Sequence, residues 1–251
     1  MPKLIILGTS NAIADTKREN THMILVGRER TVLVDCASNP ILRLQQAKLD
    51  VHTVTDLVLT HFHPDHVSGA PLLLMDLWLM GHQHPLNVYG FAHTLDRIEA
   101  LMEAYAWKEW PDFFPVTFHR VPMDEMAEVL SCDEFRILSS PVQHYIPTMG
   151  LRFDFRQSKK VVAYSCDTEP CESVVRMAGG ANVLIHEASG AFYGHSSAAQ
   201  AAGIARRAEV GELYLIHYPS EKAPQELVDE ASQSFDGPVK VAEDFMEIAF
   251  D

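Results

Sequence analysis

Positive charge is scarce in this chain. Twenty Lys and Arg residues face 34 Asp and Glu, a formal net charge of −14 over 251 residues. A protein that grips a long polyanion usually presents basic surface, because neutralising phosphates dominates that affinity. The acidic balance therefore weighs against extended nucleic-acid binding, whereas a small anion held by metal ions needs no basic field. Cysteine is equally sparse. Cys36, Cys132, Cys166 and Cys171 form no Cys-x-x-Cys pair, so free thiols in a cytoplasmic protein are expected. No apolar run approaches about 18 residues, so no membrane span is expected. Residues 1–7 read as a first strand and are too short for a signal peptide. Linkers, low-complexity segments and charge runs are missing too, and residues 1–251 are expected to form a single domain.

What is present is concentrated at Thr60-His61-Phe62-His63-Pro64-Asp65-His66, where four metal-capable side chains fall within six residues. Residues 56–60 are apolar and β-branched and read as a buried strand; residues 67–79 read as a helix. The cluster thus sits on the loop leaving a strand, where open α/β sheets place ligands. Pro64 cannot continue a ladder and is expected to turn the chain. His61 and His63 can then reach one ion, while Asp65 and His66 face a second. Two histidines one residue apart are common in ordinary proteins. Asp65 and His66 at this spacing, behind a buried strand, tip the reading to metal. Imidazole with carboxylate suits zinc, with manganese or iron as alternatives.

Patterning along the rest of the chain predicts strands at 3–7, 22–26, 31–35, 87–90, 135–138, 141–144, 150–155, 160–165, 182–186 and 212–217, with two more near Val239 and Met246. Helices are predicted at 41–48, 93–106, 168–178, 196–209 and 224–232. Residues 22–26 and 31–35 read as a hairpin, and Asp35 at its end reads as a turn former in preference to a group that supports a ligand. In each half strands come first and helices later, which suggests two packed sheets with helices outside. The stripe Leu95, Ile98, Leu101, Met102 and Tyr105 reads as core or dimer contact. The aromatics of 107–115 can wall a pocket, build an interface or fill core. His82 and His84 repeat the His-x-His spacing with no carboxylate after them and stay unassigned.

Three further ligand types end apolar strands: His144 after Pro141-Val142-Gln143, Asp167 after the run 161–165, and His217 after Leu213-Tyr214-Leu215-Ile216. One such residue is usually a strand terminator. Three of them beside His61–His66 suggest a common sheet edge and a two-metal site. His195 follows Gly194 and precedes Ser196 and Ser197, natural N-caps for a helix carrying Ala198, Ala201, Ala202 and Ala205 on one face. That helix start is expected to offer free N–H groups to an anion. His195 would act there in catalysis, held by Glu187.

These motifs together resemble the ribonuclease Z branch of the metallo-β-lactamase superfamily. The likeness lies in His-x-His-x-Asp-His, Leu7-Gly8-Thr9-Ser10, Tyr164-Ser165-Cys166-Asp167-Thr168, His186-Glu187-Ala188-Ser189, Gly194-His195-Ser196-Ser197 and Leu215-Ile216-His217-Tyr218. The resemblance implies an α/β fold, the four-layer αββα sandwich, and a homodimer. It implies two divalent ions, zinc with Mn2+ or Fe2+ as alternatives. One would take His61, His63, His144 and Asp167; the other would take Asp65, His66, Asp167 and His217. The implied activity is a phosphodiesterase that uses metal-bound hydroxide, with Asp65 orienting it and His195 assisting.

The chain departs from that family at Asp35-Cys36-Ala37-Ser38, at Cys166 where glycine is usual, and between His144 and Asp167. There, tRNA-processing members carry a long Gly/Pro-rich arm, and here only residues 145–166 intervene. Small or flexible substrates, cyclic nucleotides or RNA 3′ ends, are therefore expected over intact precursor tRNA. The rival readings are a tRNA 3′-processing endoribonuclease, a metal-dependent hydrolase of lactones or sulfate esters, and a binding protein with a degenerate site.

Overall fold

The computed structural model describes residues 2–250. The first half runs β1 (Lys3–Gly8), β2 (His22–Val26), β3 (Thr31–Val34), α1 (Pro40–Gln46), β4 (Asp56–Val58), α2 (Pro64–Val67), α3 (Ala70–Leu79), β5 (Leu86–Gly90), α4 (Ala92–Ala104) and β6 (Val116–Arg120). The second runs β7 (Ala127–Ser131), β8 (Phe135–Val142), β9 (Thr148–Phe155), β10 (Val161–Tyr164), α5 (Glu172–Met177), β11 (Val183–Glu187), α6 (Ala198–Arg207), β12 (Glu212–Ile216), α7 (Pro224–Ala231), β13 (Val239–Val241) and β14 (Glu247–Ala249). Two seven-stranded sheets result, ordered β14-β1-β2-β3-β4-β5-β6 and β13-β12-β11-β10-β9-β8-β7. β3 to β6 pair in parallel, as do β10 to β13.

Strand periodicity sorts the apolar residues into three cores. In β1, Leu4 and Ile6 point between the sheets, against Phe135, Phe153 and Tyr164 of the other sheet. Ile5 and Leu7 point the other way, into a core with Leu44, Leu73, Leu77, Leu95 and Ile98 of α1, α3 and α4. On the far side, Ala163, Leu184 and Leu213 meet α5, α6 and α7. The expected αββα layering follows, because strands buried on both faces need helices outside each sheet. α6 approaches its sheet closely through Ala198, Ala201, Ala202 and Ala205, all fully buried. A larger side chain at any of them would overpack this face, at a cost of about 1–3 kcal/mol.

Several boundaries differ from the sequence reading. Pro64 does not merely turn the chain: it occupies the first turn of α2, so Asp65 and His66 are helical, and α3 starts separately at Ala70. Residues 135–142 form one strand where two were expected, running on through Ser139 and Ser140, which the fold buries. β6 and β7 were not expected at all. Each is the end strand of its sheet and only partly buried, so it lacks the apolar run that marks interior strands. α5 begins at Glu172, later than expected, because Thr168 is engaged: its N–H donates to Glu187 and its hydroxyl to the carbonyl of Glu169. In α4, Leu95, Ile98 and Met102 are core, while Tyr105 lies beyond the helix and is exposed. Trp78 stacks on Trp110 at 5.1 Å outside α3. Between residues 145 and 166 lie only β9, β10 and their turn, so no arm projects there. Among the described residues no helix is long and apolar enough to cross a membrane.

Candidate metal centre

The segments that follow β4, β8, β10 and β12 converge at one edge of the sandwich, and all seven predicted ligand residues are on them. They fall in two groups, His61–His63–His144 and Asp65–His66–Asp167–His217. In the first, the Nδ1 of His63 is 3.1 Å from both His61 Nε2 and His144 Nε2. In the second, Asp167 Oδ2 lies 3.4 Å from the Nε2 atoms of His66 and His217, and Asp65 Oδ2 lies 3.5 Å from the same two atoms. Ligand atoms on a tetrahedral zinc with bonds of about 2.0–2.1 Å are roughly 3.3 Å apart. Both groups match that spacing. Asp167 also approaches the first group, at 3.9 Å from His61 Nε2.

The electrostatics point the same way. Burial, reinforced by His66, holds His61 well below its ordinary pKa, and burial takes His144 down to about 4. Both rings are neutral at pH 7, with a lone pair to offer. Burial also opposes charge on His66 and His217, yet both are raised, chiefly by Asp167, with Asp35 acting on His66 and Asp65 on His217. Asp167 is itself held well below its usual range: His217 and His66 outweigh the cost of burying it. These carboxylates therefore call for positive charge among them, as protons or as a cation. Two atoms single out the cation. The Nε2 of His66 and the Oδ1 of Asp167 are buried and make no hydrogen bond. A buried polar atom left so costs about 1–3 kcal/mol, which coordination removes.

Four of the five imidazoles, all but that of His63, are aimed by their other nitrogen. His66 Nδ1 donates to Asp35 Oδ2 at 2.8 Å, His144 Nδ1 to the carbonyl of Gly194 at 2.7 Å, and His217 Nδ1 to Ser189 Oγ at 2.8 Å. His61 Nδ1 lies 3.1 Å from Thr60 Oγ1, whose hydroxyl is itself committed to Asp35. Asp35 is thus no mere turn former, the reading the sequence favoured, but the support for a ligand that was its alternative. It is fully buried, takes a left-handed backbone (φ 60°), accepts the N–H of Thr60 and holds His66. Its one visible signal, an acid at the end of an apolar strand, also fits a turn. Asp35→Ala should weaken metal binding by roughly 10–100-fold, as loss of such supports does. Titration against a competing chelator measures this, and an unchanged affinity would leave Asp35 a purely local role.

Cys166 adopts φ 55°, the left-handed region, which explains why glycine suits this position in the family the sequence resembles. Its Sγ rests 3.6 Å from His61 Nδ1.

His195 adjoins the cluster. Its ring stacks on His217 (5.7 Å, 6°) and meets His144 edge-on at 5.0 Å. Its Nδ1 donates to Glu187 Oε1 at 3.0 Å. Glu187 is fully buried, and burial pushes its carboxyl above the usual value while His195 draws it back. All of its partners are donors: His195 Nδ1 and the N–H groups of Thr168, Ser189 and Ser196. The expected anion-binding helix start is largely taken up by the protein itself. Ser197 and Gln200 close a capping box, Ala199 N–H donates to Glu230 and Ser196 N–H to Glu187, so the amides of Ser196, Ser197, Ala199 and Gln200 are already committed.

This sandwich, with a histidine and carboxylate cluster built for divalent metal ions at its edge, defines a metal-dependent hydrolase of the metallo-β-lactamase fold, in its ribonuclease Z-like branch. Residues 2–239 match the family described as Anti-Pycsar protein Apyc1, and the chain belongs to that family. It is 26% identical to a protein named Ribonuclease Z from Methanothermobacter thermautotrophicus, over 99% of this chain and 96% of the relative. That alignment spans 303 positions against 251 residues here, so at least 52 positions have no counterpart in this chain. Among solved structures, YhfI from Bacillus subtilis superposes with a TM-score of 0.82 at 21% identity, covering 98% of both chains. The short form of human tRNase Z gives 0.82 at 22%, covering 99% of both.

Proposed function

We propose that this hydrolase cleaves phosphodiester bonds in small or flexible nucleotides, cyclic nucleotides or RNA 3′ ends, on two Zn2+ ions. The observation that carries this reading is the pair of ligand groups at zinc spacing with Asp167 between them. One group with Asp167 would hold one ion, and Asp65, His66, Asp167 and His217 the other. A dinuclear pair supplies Lewis acidity, lowering the pKa of bound water and offsetting phosphate charge. This chain's own residues do the rest. Asp65, partly exposed and held below its usual pKa range against the cost of burial by His217 and His66, stays ionised to orient the attacking water. His195, steadied by Glu187, gives a proton to the leaving oxygen. The buried members of the cluster keep the geometry, and His63, Asp65, His144 and His195 face the approach.

The relatives' names favour a second reading, tRNA 3′ processing. Against it stand the absent arm, the 52 or more missing positions and the acidic balance. A product-resolved assay of metal-analysed protein on cyclic nucleotides, precursor tRNA, lactones and sulfate esters decides. We expect turnover of cyclic nucleotides and weak or absent cleavage of precursor tRNA. Efficient cleavage on the 3′ side of the tRNA would show that the arm is dispensable, and turnover confined to lactones or sulfate esters would replace the phosphodiesterase reading.

Residues 1–251 are taken as one catalytic domain, placed in the cytoplasm on the strength of its four free cysteines. A homodimer is the proposed assembly. Its support is the largely apolar groove of about 230 Å³ lined by Pro71, Leu72 and Met75 at α3 with Tyr105 and Trp110 beyond α4. Light scattering at micromolar protein should give twice the 28.1 kDa chain mass; the single mass would mean this groove is not a subunit contact.

A further inference from the structure

Beside the metal cluster the surface turns aromatic. Tyr145 directly follows His144. Its ring centroid lies 4.9 Å from that of His144 and 6.2 Å from that of His63. Tyr193 meets it edge-on at 4.9 Å, and Phe192 lies 4.8 Å from His195. All three rings are at least half exposed: Tyr145 50%, Phe192 53% and Tyr193 67%. Water-facing aromatics cost hydrophobic free energy, so three together at the mouth of a site need a reason.

These rings are held in place. The loop carrying Phe192 and Tyr193 is closed by Gly190 N–H donating to the carbonyl of Ser196 and by His195 N–H donating to that of Phe192. It is tied outward as well: Gly194 N–H donates to Glu169, and the Gly194 carbonyl accepts from His144. Gly194 has φ +80°, and a Cβ there would lie 2.6 Å from the Tyr145 ring. The missing side chain lets Tyr145 pack against the loop while half its surface stays open. A cavity of about 280 Å³ adjoins, lined in part by Phe192, Tyr193 and His195.

We propose that Tyr145 and Tyr193, backed by Phe192, form a stacking rim for the base of a nucleotide whose phosphate lies on the metal cluster. The inference rests on the phosphodiesterase reading for the placement of the phosphate. A base stacks on an aromatic face through its π surface, which every base has, so such a rim tolerates all four. Stacking also supplies affinity without cations, as an acidic chain requires. Rigid tyrosines lose little conformational entropy in doing so.

The test compares metal-loaded wild type, the Tyr145→Leu/Tyr193→Leu double variant and the Tyr145→Phe/Tyr193→Phe double variant. Calorimetry measures binding of AMP, CMP and base-free ribose 5-phosphate; kinetics measure KM and kcat on cyclic nucleotides. Wild type should bind both nucleotides more tightly than ribose 5-phosphate. The Leu variant should lose roughly 5–100-fold in nucleotide affinity, with a matching rise in KM and little change in kcat. Its ribose 5-phosphate binding and metal content should stay the same, and the Phe variant should behave as wild type. Equal binding of AMP and ribose 5-phosphate by wild type overturns the rim, as does an equal loss on both ligands in the Leu variant. A changed oligomeric state in the Leu variant would make the rim a subunit contact instead. Base-dependent binding without hydrolysis of any cyclic nucleotide would keep the rim and remove the cyclic-nucleotide reading.

Discussion

Asp167→Ala should empty both ion positions and abolish hydrolysis. Asp167 is the one carboxylate between the two histidine groups, with Oδ2 at 3.4 Å from His66 Nε2 and His217 Nε2 and 3.9 Å from His61 Nε2. On the proposed two-ion reading, its removal deletes a ligand on each side. It also leaves His66 and His217 without the negative charge that raises their pKa values. At neutral pH the pocket would then be a set of imidazoles with one carboxylate at its margin, a poor counter-charge for two dications. Metal chemistry contributes several kcal/mol to such barriers, so turnover should fall by roughly 10³-fold or more. Elemental analysis of the folded variant, checked by circular dichroism, should find little metal. His217→Ala is the control. Of the two ligand groups described above, His217 belongs only to that of Asp65, His66 and Asp167, so its loss should cost about one ion per chain. If Asp167→Ala retained both ions, Asp167 would not bridge, and the two groups would be independent sites.

His195→Ala should behave in the opposite way, keeping both ions while kcat drops by roughly 10²–10⁴-fold, the usual range for lost acid–base assistance. His195 is partly exposed, lies over His217 and donates its Nδ1 proton to a carboxylate that is fully buried. That arrangement fixes the ring and turns its Nε2 edge away from Glu187, free to act on the leaving oxygen. The committed amides around the start of α6 strengthen the expectation. They cannot receive the phosphate in place of His195. Metal analysis and steady-state kinetics on one preparation decide: near-normal turnover removes His195 from the chemistry, and lost metal makes it a ligand.

The sequence alone determined the parts that depend on local pattern. The unbroken apolar run Leu4-Ile5-Ile6-Leu7 marks a strand buried on both faces, and such strands with amphipathic helices between them require a layered sandwich. A histidine or aspartate at the end of a buried strand is visible because the apolar run stops there. Ligand chemistry limits what two histidines, an aspartate and a third histidine within six residues can do. Hence all seven candidate ligands could be named, and the structure brings them together. What only the tertiary structure decided concerns non-local partners. β6 and β7 are strands because neighbours pair with them, not because their own residues are apolar. Asp35 reads as a turn residue until His66, 31 positions on, is seen to donate to it. The start of α6 looks free until Glu230 and Glu187 are found on its amides. Tyr145 and Tyr193 are 48 positions apart, and only the left-handed Gly194 lets them share a rim. A pattern of residue types records which groups want partners; which partner each one finds is set by chain closure, and that is not written along the chain.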